Sequence, residues 1–141
     1  MTVVVPNYIF DIEPYQGGKP IKEVAREIGI PENKIIKLAS NENPLGISPR
    51  AKAAIKNSID EGFRYPDGNG YYLKQELSRK FSIDSNRIIL GNGSNDILEI
   101  VARTILSPGD EVIYSEHAFA VYEIVTKSSG AHGIVAPANN Y

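Results

Sequence analysis

The stretch from Ile88 to Ile100 constrains this chain more than any other. It reads Ile88-Ile89-Leu90, then Gly91-Asn92-Gly93, then Ser94-Asn95-Asp96, then Ile97-Leu98-Glu99-Ile100. A short apolar run, two glycines one residue apart, a polar trio and an apolar stretch of helical length predict strand, tight turn and helix. Such a turn leaves backbone N–H groups free at a helix N-terminus, where partial positive charge favours an anion. Gly91 and Gly93 permit the sharp bend and a close backbone approach. Ser94 suits the N-cap and Asp96 the first turn. A phosphate cradle and an ordinary, well-capped strand-to-helix turn both fit these residues. The pattern is neither Gly-x-Gly-x-x-Gly nor Gly-x-x-x-x-Gly-Lys, which excludes the two best-known nucleotide loops.

Around this turn, helices and short apolar strands alternate. Residues 1–20 hold Pro6, Pro14, Pro20, Gly17 and Gly18 with Tyr8, Phe10 and Tyr15 between them, an irregular arm with aromatic anchors. A helix is expected from Pro20 to Ile28, stopped by Gly29, and a strand from Ile35 to Ala39. Ser48-Pro49 opens a second helix that Gly62 ends. Tyr71 to Phe81 is a third, with Leu73, Leu77 and Phe81 on one stripe and Glu76 and Lys80 as an exposed pair. Arg87 to Leu90 is an expected strand, and the helix from about Asn95 to Leu106 is apolar over most of its circumference, which predicts burial. Ser107-Pro108-Gly109-Asp110 is a turn, Glu111 to Tyr114 a strand, Ala118 to Lys127 a helix and His132 to Ala136 a last strand.

This alternation predicts an α/β unit with a largely parallel sheet, a partial three-layer sandwich. An open sheet needs helices on both faces, and no helix follows the last strand, so the chain is expected to be the opening portion of something larger. Its 141 residues suffice for a core. The net charge of −2, without a basic stripe, points away from nucleic acid and membrane surfaces. No apolar run is long enough to span a bilayer, and Thr2-Val3-Val4-Val5 lacks the flanks of a secretory signal, so a cytoplasmic location is expected. Cysteine is absent, which excludes disulfides and thiolate chemistry. His117 and His132 have no partner at ligand spacing, so no metal is expected.

Four motifs carry a resemblance: Pro14-Tyr15-Gln16-Gly17-Gly18, Lys37-Leu38-Ala39-Ser40-Asn41-Glu42-Asn43-Pro44-Leu45-Gly46, Arg64-Tyr65-Pro66-Asp67-Gly68-Asn69-Gly70 and the Gly91–Asp96 turn. In this order and spacing they resemble the pyridoxal-phosphate-dependent aminotransferases of fold type I, and within them the histidinol-phosphate aminotransferase family. The resemblance implies pyridoxal 5'-phosphate as cofactor and transfer of an amino group between a phosphorylated amino alcohol and a 2-oxo acid. It implies that Gly93, Ser94 and Asn95 hold the cofactor phosphate, that Phe119 stacks on the pyridine where relatives often have tyrosine, and that Tyr65 crosses a homodimer interface to the partner's cofactor. Tyr15 and Asn43 are implied to meet the small-molecule substrate. It divides the chain into an arm and small-domain segment, 1–47, and the first part of the large cofactor domain, 48–141.

The same resemblance gives this chain no catalytic residue. The family's Schiff-base lysine, its ring-nitrogen aspartate and its carboxylate-binding arginine belong to motifs that these 141 residues do not contain. The chain alone is therefore expected not to transaminate, and to associate or dissolve poorly. Two other functions stay open: a non-catalytic phosphate-binding or dimerisation fragment, and an aromatic amino acid aminotransferase.

Overall fold

The computed structural model describes residues 4–139; Thr2, Val3 and Tyr141, to which the signal and boundary expectations extend, lie outside them. Contacts cluster into two units, one formed by residues 4–15 with 70–139 and the other by residues 16–69.

The first unit is built around a strand–helix–strand crossover. β1 (Glu111–Ser115) and β2 (His132–Ala136) pair in parallel, with Glu111 opposite His132 and Ser115 opposite Ala136. α5 (Val121–Ser128) is the connection between them. Parallel neighbours require such a crossover, because a two-residue hairpin reverses the chain. The ladder is extended at both ends, where His132 N donates to the Asp110 carbonyl at 2.7 Å and Glu116 N to the Ala136 carbonyl at 2.9 Å. Gly133 lets β2 pass beneath the Tyr114 ring; a Cβ there would lie 2.9 Å from the ring's Cε1 and Cζ.

α3 (Tyr71–Phe81) precedes this crossover and has the predicted bounds. Its expected Glu76–Lys80 pair is not formed. Glu76 instead takes Arg79 at 2.6 Å, and the Lys80 ammonium stands 5.3 Å from the Phe81 ring centroid. The shorter i,i+3 reach of the arginine fork satisfies the carboxylate first. α4 (Ser94–Ile105) follows and packs on α5.

Among the described residues, Ala102, Val121, Thr126 and Ala131 are the buried ones. The Thr126 hydroxyl is satisfied by donating to the Tyr122 carbonyl at 2.7 Å. The expectation that α4 is buried all round is corrected: Ala102 is buried, but Ile105 remains 68% exposed. Two strands and one helix cannot cover its apolar circumference. The uncovered side faces an apolar groove of about 380 Å³ between α4, β1 and α5.

The second unit contains α1 (Ile21–Ile28) and α2 (Pro49–Ser58), each opened by proline as the sequence implies. Pro20 stands at the cap of α1 and Pro49 at the first helical position of α2. Gly29 ends α1 in the left-handed region, its N–H donating to the Ala25 carbonyl at 3.0 Å. No described residue of this unit is buried.

Two expected strands do not form ladders among the described residues. Ile35 (φ −94°, ψ 124°) and Ile88 (φ −108°, ψ 120°) have extended backbones. Extended dihedrals alone do not make a strand, which needs a hydrogen-bonded neighbour. Among the described residues no helix is long and apolar enough to cross a membrane.

Candidate functional site

The turn before α4 differs from its sequence reading in one detail. Gly93, not Ser94, occupies the N-cap, with φ 96° and ψ 174°, and Ser94 is the first helical residue. That backbone conformation is open essentially to glycine alone. Gly91 is required for a second reason. A Cβ on it would lie 2.8 Å from Ile97 Cδ1 and 3.0 Å from Asp96 Oδ2, so the chain passes directly against the first turn of α4.

Asp96 sits three residues after the cap and folds back, its Oδ2 accepting from Asn92 N at 2.9 Å. This is the return half of a capping box, moved one residue outward, and it places negative charge in the first turn. The sequence places this acid in the first turn but two residues after Ser94, the expected cap; the move of the cap to Gly93 makes the spacing three. Beyond Asn92, the amides of Gly93, Ser94 and Asn95 make no hydrogen bond among the described residues, and all three residues are exposed. Three donors at the positive end of a 12-residue helix therefore face open space. That is the donor set an oxyanion requires.

Phe119 lies between β1 and α5. The helix expected from Ala118 begins at Val121, because Ala118 N closes a turn onto the Ser115 carbonyl at 2.9 Å. The Phe119 carbonyl then accepts from Tyr122 N at 3.0 Å, and the residue is 46% exposed. Tyr15 meets it. The two ring centroids are 5.2 Å apart and the planes cross at 72°, an edge-to-face pair. These two candidates are far apart in sequence, and the structure brings them together.

The arm that carries Tyr15 is docked on α5. Its 3₁₀ turn, Asn7–Asp11, packs on that helix. Lys127 donates to the Asp11 carbonyl at 3.1 Å and pairs with Glu123 at 2.6 Å. The Glu123 hydrogen bond raises the Lys127 pKa, and attraction to Glu13 of the arm adds to it. Burial, and then the nearby Glu123 charge, push the Tyr114 phenol above its usual value.

Asn43 and Tyr65 belong to the unit of residues 16–69. Asn43 closes its own loop: Oδ1 accepts from Leu45 N and Nδ2 donates to the Gly46 carbonyl, each at 3.0 Å. The same loop holds Ser40 (φ 70°) and Asn41 (φ 46°) in left-handed conformations. Lys37 pairs with Glu42 at 2.7 Å across it. Tyr65 is fully exposed in the turn that precedes Gly70. Among the described residues no group of three or more acidic or imidazole side chains is placed to hold a metal ion.

Comparison with known proteins gives this geometry a context. The family described as aminotransferase class I and II matches residues 33–140. Histidinol-phosphate aminotransferase 2 of Nitrosospira multiformis is 56% identical over 138 residues, which are 98% of this chain and 35% of that protein. The histidinol-phosphate aminotransferase of Methylobacillus flagellatus is 53% identical over 136 residues, 96% of this chain and 37% of that protein. The chain thus spans about a third of the length of the curated relatives it matches. A crystal structure of histidinol-phosphate aminotransferase from Sinorhizobium meliloti, in complex with pyridoxal-5'-phosphate, superposes with a TM-score of 0.78. It is 20% identical, with 99% of this chain and 36% of that one aligned, and the likeness establishes a shared α/β fold.

Proposed function

The chain belongs to the class I and II aminotransferases, and from that premise we propose that it serves amino-group transfer between histidinol phosphate and 2-oxoglutarate with pyridoxal 5'-phosphate. The observation that carries the reading is the set of unpartnered amides at the start of α4. Their number suits a phosphate ester, and among the described residues no side chain caps this end of the helix. The substrate assignment draws on the relatives that are 56% and 53% identical.

In this reading Gly93, Ser94 and Asn95 bind the cofactor phosphate through backbone N–H groups. Asp96 stays outside the anion's contacts, because its carboxylate is engaged with Asn92. Phe119 offers a π face to the pyridine ring and excludes water from it. When bound, the cofactor supplies an electron sink, and the protein supplies orientation. Tyr65, fully exposed in its own unit, extends to the phosphate site of a second copy in a cytoplasmic homodimer. Tyr15 and Asn43 contact the small-molecule substrate; Asn43 keeps its second amide hydrogen and a second Oδ1 lone pair beyond its two loop bonds. Residues 1–47 form the arm and a small-domain segment, and 48–141 open the cofactor domain.

The test is steady-state kinetics of the complete enzyme with histidinol phosphate against aromatic amino acids as donors. A higher kcat/KM for histidinol phosphate supports the assignment. A preference for the aromatic donors overturns the substrate and leaves the family intact.

A further inference from the structure

Resting on the reading of Phe119 as the ring that stacks on the cofactor, we infer that Tyr15 is a positioning residue, which fixes the Phe119 ring by an edge-to-face contact before the cofactor arrives. Phe119 stands in a turn and is nearly half exposed. On its own backbone its ring is free to change rotamer. The contact at 5.2 Å and 72° selects one orientation, within the range where aromatic pairs attract beyond simple burial.

Tyr15 can do this because its arm is tethered at the C-terminal end of α5. Lys127, in the last turn of α5, holds the Asp11 carbonyl at 3.1 Å. Tyr8 packs where Gly130 leaves room, 3.0 Å from the position a Cβ would take. Beyond Asp11 the backbone is extended at Ile12 (φ −83°, ψ 117°), and the ring of Pro14 fixes its own φ just before Tyr15. Docked on α5 and held at Lys127, the arm delivers Tyr15 to Phe119, just before the other end of that helix. In this role, separate from its contact with substrate, the tyrosine acts through Phe119 and needs only its ring.

The inference is tested with the complete enzyme, first free of cofactor. Tyr15→Ala, Phe119→Leu and the double variant form a cycle read by denaturant unfolding. Less-than-additive loss is expected, by a factor of about 2–10 in the folding equilibrium. Titration with pyridoxal 5'-phosphate then reads affinity, and circular dichroism in the cofactor's visible band reads ring orientation. Tyr15→Ala is expected to weaken binding about 2–10-fold and to change that band, while Tyr15→Phe restores both. Tyr15→Leu keeps apolar bulk without a ring and is expected to behave as the alanine variant, which covers the case where alanine unfolds the arm. Additive losses, or an unchanged affinity and band in the ringless variants, overturn the inference. Absence of cofactor binding by the unsubstituted enzyme overturns the functional reading, and this inference with it.

Discussion

Replacing Gly93 with alanine isolates one physical term. Nothing lies within 4 Å of a Cβ built on Gly93, so the substitution introduces no clash. Its cost is the backbone alone: φ 96° with ψ 174° lies in a region that non-glycine residues occupy at about 1–3 kcal/mol. If the turn keeps its shape, that cost appears in the denaturant midpoint at unchanged slope. If the turn relaxes instead, the amides of Ser94 and Asn95 swing away and the cost appears in affinity for pyridoxal 5'-phosphate, a factor of about 5–150. The two readouts together should recover the whole cost. Gly93→Asn should do no better, because asparagine tolerates the left-handed helical region and this ψ lies outside it. Gly29 is the contrast. At φ 70° and ψ 27° it is in that region, and Gly29→Asn should be milder than Gly29→Ala. A Gly93→Ala protein with unchanged midpoint and unchanged affinity refutes the argument.

Four further outcomes follow from the geometry. Asp96→Ala removes the acceptor of Asn92 N and the first-turn charge of α4, and should cost about 0.5–2 kcal/mol in urea unfolding; no change would show that water replaces the carboxylate fully. Gly133→Ala drives a Cβ into the Tyr114 ring and should cost about 1–3 kcal/mol, with a thermal scan as the measurement. Because the Tyr114 pKa is raised by burial and by Glu123, its contribution to stability is complete below the unfolded value of about 10 and is lost as pH rises through the folded value. Tyr114→Phe should therefore flatten the alkaline fall in stability, and an identical fall in both proteins would contradict this. The 141-residue chain by itself should show no amino transfer above free cofactor and should associate, since Leu38 and Leu45 are almost fully exposed and α4 keeps an uncovered apolar side; a dilute, monodisperse monomer in sedimentation would count against the second point.

Local sequence determined most of the elements. α3 runs from Tyr71 to Phe81 as its apolar stripe predicts, and α1 ends where Gly29 permits the left-handed cap. β1 and β2 lie where short apolar runs meet turn residues, and the crossover between them follows from chain length alone. The turn before α4 was legible as glycines before a helical run, because capping depends on residues within one turn of each other. Even there the cap moved from Ser94 to Gly93, since the choice rests on a ψ angle that no residue type announces.

Tertiary structure decided what depends on distant partners. Ile35 and Ile88 have strand dihedrals without a ladder, because a strand is defined by its neighbour. The burial of α4 depended on how much surface the other elements can cover, and composition does not report that. Asn43 closes its own loop and Glu76 prefers Arg79 to Lys80, outcomes set by side-chain reach in three dimensions. The meeting of Tyr15 with Phe119 is the clearest case. Each residue was readable alone, but their contact depends on an arm packed on α5 and anchored at Lys127, and only the folded chain brings those elements together.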